Sequence, residues 1–93
     1  MEFDAGTQAG SGQIENSRRK VLAIEFHARE SNTGIVSFGR SDVGQTNGRS
    51  LAASESTALS FSDAGVQGSV DFRFFFVNVP TSGDRIDWTV IIL

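Results

Sequence analysis

The stretch DFRFFFVNV, residues 71 to 79, decides the fold of this chain, because it places four of the eight phenylalanines within five positions. Alternate side chains of a β-strand point to opposite faces, so a strand here would be apolar on both sides. The two predicted faces consist of Phe72, Phe74 and Phe76, and of Phe75, Val77 and Val79. A small domain has one core, so the second face needs a cover from another subunit or from a second layer of the same fold.

Segments of alternating polarity on either side of this stretch predict further strands. The longest are VLAIEFHAR, residues 21–29, and RIDWTVIIL, residues 85–93; IVSFG and TALSFS are shorter. The side chains that these two long segments are predicted to turn toward the core are Leu22, Ile24, Phe26, Ala28, Ile86, Trp88, Val90 and Ile92. Turns rich in Gly, Ser and Asn separate the strands, and no segment has a helical period.

Individual turn residues also carry expectations. In ESNTG, residues 30–34, Asn32 and Gly34 are the residues able to take a positive φ. The pair Asn47–Gly48 predicts a tight turn, and Leu51 beyond it is predicted to enter the core. The whole pattern predicts an all-β fold over residues 20–93, with the strands arranged as an antiparallel β-sandwich or as a barrel.

The first nineteen residues differ from the rest, because they contain three glycines and few large apolar side chains. We expect residues 1–19 to form an extended N-terminal arm, with Phe3 and Ile14 as anchors against a partner. The basic run SRRK, residues 17–20, lies at the junction of the arm and the domain, and its Arg18 and Arg19 suit an acidic protein surface. The residues predicted to contact another subunit or a partner protein are Phe3, Ile14, Arg18, Arg19, Phe75, Val77 and Val79.

The composition restricts the chemistry and the partners. The absence of cysteine excludes a disulfide framework and thiolate metal sites. A net charge of -3 disfavours nucleic acid as a partner, and the apolar C-terminal run is too short to span a membrane. His27 is interpreted as a surface group, and Asp84 and Asp87 as solvated acids on opposite faces of the chain. We therefore predict no catalytic residue, no metal and no cofactor.

Two segments resemble a pattern found in small virion proteins of tailed bacteriophages. NTGIVSFGRSDVGQTNGRSLAASESTALSF, residues 32–61, is similar to their strand-and-turn order, and VPTSGDRIDWTVI, residues 79–91, is similar to their closing hairpin. The first segment matches the pattern at Asn32, Thr33, Gly34, Gly39, Ser41, Asp42, Val43, Asn47, Gly48, Leu51, Glu55 and Ser56. It departs from the pattern at LAASES, where these proteins more often have L-x-P-G-E-S, and the arm is not covered.

The resemblance implies a capsid decoration (cement) protein with a β-sandwich or jelly-roll module. Its expected partners are the major capsid protein and further copies of itself, with a homotrimer favoured. Its expected location is the capsid surface of the virion, after synthesis in the host cytoplasm. The alternative is a receptor-binding or carbohydrate-binding module of a head or tail fibre. That module would use the loops 39–50 and 62–68, with Trp88 for sugar stacking if it were exposed, although its place in the strand favours the core.

Overall fold

The computed structural model describes residues 2–44, 47–60 and 70–93, which form two packed antiparallel sheets. The strands are β1 (Glu2–Gln8), β2 (Gly12–Gln13), β3 (Lys20–Ala28), β4 (Val36–Gly39), β5 (Arg49–Leu51), β6 (Ser56–Ser60), β7 (Val70–Asp71), β8 (Phe76–Asn78) and β9 (Ile86–Ile92). A single 3₁₀ turn, Phe72–Phe74, lies between β7 and β8. The predicted all-β sandwich is confirmed.

The strand pairs are nested along the chain. β4 pairs with β5, β3 with β6, β2 with β8 and β1 with β9, so each pair encloses the one before it. Successive pairs belong to alternate sheets: sheet A has the order β1-β9-β3-β6, with β7 also on β3, and sheet B has the order β2-β8-β4-β5. The chain is therefore one long hairpin rolled into two layers, which is a jelly-roll arrangement.

The core lies between the two sheets. Across it, the rings of Phe26 on β3 and Phe38 on β4 stack with centroids 4.1 Å apart. The rings of Phe72 and Trp88 are perpendicular to each other, with centroids 5.3 Å apart. The predicted core residues on β9 are all buried, and Leu51 is buried as predicted. Because both sheets contribute apolar side chains to one layer, this chain closes a core without a disulfide.

The stretch 71–79 does not form the continuous strand that its sequence predicts. β7 pairs with β3 in sheet A and β8 pairs with β4 in sheet B, so the chain must cross between the layers here. The 3₁₀ turn makes this crossing and shifts the alternation. The core therefore receives Phe72, Phe75, Val77 and Val79, whereas Phe74 is 53% exposed. The face formed by Phe75, Val77 and Val79 is therefore covered by the other sheet of the same chain and not by another subunit.

The inward face of β3 also differs from the prediction, at one position. Ile24, Phe26 and Ala28 are buried as expected, but Val21 is fully buried and Leu22 only partly. A register shift between Val21 and Ala23, where β3 pairs with β9, explains the exchange. A bulge adds one residue to a strand and so reverses the faces on one side of it.

The segment predicted to be a separate arm is built into both sheets. β1 pairs with β9 over seven residues, from Glu2 opposite Ile92 to Gln8 opposite Ile86. β2 then joins sheet B beside β8. Gly6 lies opposite Trp88, and a β-carbon on Gly6 would overlap the indole ring. The prediction of a free arm is therefore wrong for these residues, because β1 covers a tryptophan of the core.

The loop after β3, with its NTG motif, and the loop before β9, with its TSGD motif, are hydrogen-bonded to each other in what we call the loop clasp. The side-chain amide of Asn32 donates to the carbonyl of Arg85 and accepts from the Arg85 N–H, both at 2.8 Å. The carboxylate of Asp84 accepts from the N–H groups of Thr33 and Gly34, both at 2.9 Å. Neither Asn32 nor Gly34 has the positive φ that the sequence suggested. Asn32 instead acts through the hydrogen bonds of its side chain.

Candidate interaction surface

The outward face of sheet A carries an apolar surface, which we call the outer groove. In β1, β9 and β3 the outward residues Phe3, Ile91 and Ala23 are cross-strand partners. Together with Glu25, Ala58 and Thr89 they line a shallow groove of about 160 Å³. Phe3 is 74% exposed, the most exposed large apolar side chain of the described residues. Small side chains beside an exposed phenylalanine leave a flat surface that suits another protein better than a small molecule.

One end of this face is polar and rigidly bonded. Asp87 accepts hydrogen bonds from the hydroxyl of Thr7 at 2.6 Å and from Nε of Arg29 at 3.0 Å. Partial burial would raise the pKa of Asp87, but the bonds from Arg29 and Thr7 outweigh it and hold this pKa below its usual range. Arg29 also donates to the Thr7 hydroxyl. These contacts fasten β1 to β9 and to the end of β3.

A serine, a histidine and an aspartate lie in one cross-strand row on this face. The imidazole Nδ1 of His27 and the hydroxyl of Ser56 are 2.6 Å apart, and Asp87 is the strand partner of His27. In a hydrolytic triad the carboxylate bonds the imidazole and orients it. Here the bonds to the Asp87 carboxylate come from Arg29 and Thr7. The row lies on an open face of the sheet. His27 is a hydrogen-bonded surface residue there, as predicted.

The basic run at the end of the predicted arm makes internal contacts. Arg19 bonds the carboxylates of Glu2 at 3.3 Å and Asp4 at 3.0 Å, and its guanidinium lies 5.8 Å from the ring centroid of Phe72. Lys20 bonds the nearly buried Asp71, and this bond lowers the pKa of that carboxylate. Arg18 is exposed. Of the two arginines predicted as contacts, Arg18 is the one whose side chain stays open to a partner.

The other predicted contact residues divide between the surface and the core. Ile14 is partly buried against the core, and its N–H donates to the carbonyl of Phe75 at 3.2 Å. Phe75, Val77 and Val79 are 7%, 1% and 6% exposed. A subunit docking on the folded sandwich cannot reach these three, because their own sheet and the facing sheet cover them. Phe3 alone among the apolar predictions is an open surface residue.

Sequence reasoning missed several surface residues and misplaced one acid. Ile91, Ala23 and Ala58 join Phe3 only through the strand register, which is not visible in a single sequence. Asp84, predicted to be solvated, is 2% exposed. The hydrogen bond from Thr33 N–H is the main reason that its pKa is lowered, although burial acts in the opposite direction. Trp88 is 7% exposed, so it offers no open face for sugar stacking.

A larger concavity of about 780 Å³ lies at one end of the sandwich. Its lining includes Phe38, Arg40, Arg73, Phe74 and Phe76. The Nε of Arg73 is buried there with no hydrogen-bond partner in the described part of the chain. Residues 61–69 lie outside the described residues, and with them Phe61, Asp63 and the predicted loop 62–68. The outer groove is the better-defined surface.

The described residues offer neither a cluster of metal ligands nor a membrane-spanning helix. Residues 2–44, 47–60 and 70–93 hold no group of three His, Cys, Asp or Glu side chains that could bind a metal ion. The same residues contain no helix of the length and apolarity that a membrane crossing requires. Comparison with protein-family models, with curated proteins and with solved structures finds no match.

Proposed function

We propose that this chain is a structural virion protein, a capsid decoration (cement) protein that binds the phage head as a homo-oligomer. The observation that carries the proposal is the outer groove, an apolar surface that crosses β1, β9, β3 and β6 of a jelly-roll sandwich. A cement protein needs a stable module and a surface complementary to capsid subunits. The resemblance of residues 32–61 and 79–91 to small tailed-phage virion proteins supports the same function.

The side chains capable of chemistry support a structural role. Asp71, Asp84 and Asp87 each bond groups from neighbouring segments, and these bonds join loops and strands of the sandwich. A reaction would require a concave site with a nucleophile, a base and an oriented partner. The outer groove instead offers Phe3, Ile91 and small residues on an open sheet. Such a surface gains affinity by excluding water from apolar side chains.

The proposed capsid contact differs from the one expected of a free arm. Phe3 is held on β1, so a partner meets it in a fixed position beside Ile91 and pays no cost for ordering the segment. Several copies of the surface in one oligomer would raise the avidity for a capsid lattice well above that of one copy. The carbohydrate-binding alternative has weaker support, since Trp88 is packed against Phe72.

The test places a charge in the outer groove. Ala58 is exposed on β6 and lines the groove, so Ala58→Arg would put a large charged side chain, next to its cross-strand partner Glu25, into the proposed contact. The binding partner is a purified particle of the encoding phage that lacks this protein. We expect the affinity of the variant for such particles to weaken by about tenfold or more, which corresponds to about 1.4 kcal/mol. Cosedimentation measures it. The matched control is Ala52→Arg, at an exposed loop position away from the groove. Equal binding by both variants, or no binding by the native chain, would contradict the proposal.

A further inference from the structure

β1 is the longest edge strand of the described residues. It has seven residues, whereas the edge strands β6, β5 and β2 have five, three and two. β1 pairs with β9 along one side, and its other side faces outward. The N–H of Ala5 donates to the carboxylate of its own neighbour Asp4 at 2.9 Å. This N–H points to the free edge, where it bonds a side chain and no strand.

The usual devices that protect an edge strand are weak in β1. Between Glu2 and Gln8 there is no proline and no lysine, and no bulge interrupts its register with β9. The two acids, Glu2 and Asp4, would oppose pairing as isolated charges. Arg19 bonds both of them, so their charge is offset within the chain. A strand of this length with compensated charges is a template for another strand.

The sequence of β1 selects one register for pairing with its own copy. In an antiparallel pair, residues directly opposite share a face, so an inward residue must meet an inward residue. Centring the pair on Ala5 uses all seven residues, and it places Glu2 opposite Gln8 and Asp4 opposite Gly6 of the second copy. Centring it on Asp4 would oppose two carboxylates, and centring it on Gly6 would leave Phe3 outside the pair.

We propose that two copies of this chain associate through antiparallel β1–β1 pairing about a two-fold axis at Ala5. The two A sheets then form one continuous sheet of eight main strands. This inference rests on the proposed self-association and specifies its surface. It gives a two-fold contact where the sequence resemblance favours a trimer.

The outward residues at this contact are complementary. In the Ala5-centred register Phe3 lies opposite Thr7 of the second copy. In each copy the Thr7 hydroxyl accepts from Arg29, so the Arg29 guanidinium is placed next to this pair. Phe3, exposed in the single chain, then has a methyl group and a cation beside its ring. The rest of the outer groove, toward Ala58, stays open for a capsid subunit.

The test uses the absence of native cysteine. Ala5→Cys puts one thiol at the two-fold axis, where hydrogen-bonded partners have Cα atoms about 5.5 Å apart, a separation that a disulfide spans. Thr89→Cys is the control, because Thr89 is the exposed partner of Ala5 on β9 and faces the same way without lying at the edge. After mild oxidation we expect Ala5→Cys to run mainly as a covalent dimer and Thr89→Cys as a monomer. Light scattering on the native chain should give twice the monomer mass.

Three results would overturn the inference. They are a monomeric native chain at its highest soluble concentration, an oligomer in which Ala5→Cys does not crosslink, and equal crosslinking by both cysteine variants. All three are measured on the free protein, whereas the proposed function is tested by measuring how strongly Ala58→Arg binds to particles. A native monomer that binds particles therefore refutes the pairing and the proposed homo-oligomer, and leaves the proposed capsid role intact. A crosslinked dimer that does not bind to particles refutes the proposed capsid role alone.

Discussion

Gly6 is the residue that allows β1 to lie over the core. It faces Trp88 across the β1–β9 pair, and the indole ring occupies the space that a β-carbon would take. The ring also packs against the perpendicular ring of Phe72, so it has little freedom to move aside. A glycine in the interior of a strand normally weakens it, and close approach by another group is one of the few reasons to find one there.

Gly6→Ala should therefore destabilise the chain by about 1–3 kcal/mol, because the added methyl group overpacks the contact with Trp88. Urea denaturation followed by the fluorescence of the single tryptophan measures this difference. Gly10→Ala is the matched control, since no atom lies within 4 Å of the β-carbon position at Gly10. We expect it to change stability by no more than about 0.5 kcal/mol. Equal effects of the two changes would show that Trp88 does not pack on β1.

Asp84 links pH to stability through the loop clasp. Its folded pKa lies below the ordinary value, chiefly because the N–H of Thr33 bonds the carboxylate. The ionised group therefore stabilises the fold at pH values above the unfolded pKa of about 3.9, and this stabilisation is lost as the pH falls through the folded pKa.

Asp84→Asn should lower stability at neutral pH and flatten its fall between about pH 5 and pH 3, because the variant has no charge to lose there. Asp71 and Asp87 also have lowered pKa values, so part of the fall should remain. Urea denaturation at several pH values measures both effects. Asp42→Asn, at an exposed loop carboxylate, is the control and should keep the native slope. An unchanged slope in Asp84→Asn would refute the role of the clasp.

Among the elements, the 3₁₀ turn determines which phenylalanines enter the core. Phe72 is fully buried and Phe74 is 53% exposed, although a plain strand would put both on one face. Phe72→Ala should cost about 3–5 kcal/mol, as for other buried phenylalanines. Phe74→Ala should change stability by no more than about 0.5 kcal/mol. Chemical denaturation measures the free energy of unfolding of both variants. Similar decreases at the two positions would indicate a continuous strand instead of the 3₁₀ turn.

The same turn illustrates what a sequence can predict at this scale. Alternation identified the inward face of β9 and most of β3, because both strands lie in one sheet and bury one side. It failed where the chain crosses between the sheets at Phe72–Phe74 and where β3 is bulged after Val21. At both places the packing of the whole fold changes which residues face inward. A prediction that assumes strict alternation along the strand therefore fails there.

The candidate surface was predictable only in part for a related reason. Phe3 was identified because a large apolar residue in a polar, glycine-containing segment suggests a contact. Its neighbours Ile91 and Ala23 lie far away in sequence and meet it through strand register. β1 itself was missed, since its order comes from pairing with β9 and from Gly6 under Trp88 and not from its own apolar pattern.

At the scale of the whole molecule, the nested topology joins the two ends of the chain. β1 and β9 form the outermost pair, so the first strand contacts the last one along its full length. Arg19 adds a further link from the start of β3 to Glu2 and Asp4. An arm on a finished domain could be removed without harm to it. A strand that closes the outermost pair cannot, because its loss exposes the side of β9.

Deleting residues 2–8 therefore tests the architecture as a whole. The truncated chain should unfold at lower urea concentration than the native chain, and the emission of Trp88 should shift to longer wavelength because water reaches the indole. A dispensable arm would instead leave both the unfolding midpoint and the emission unchanged. The matched control replaces Phe3 with Ser, which keeps the β1 backbone and removes only an outward side chain that is 74% exposed. Because Phe3 lies outside the core, this variant should keep the native emission and a stability within about 0.5 kcal/mol of the native value. If the truncated chain matched this control, β1 would be an accessory to the sandwich and not one of its strands.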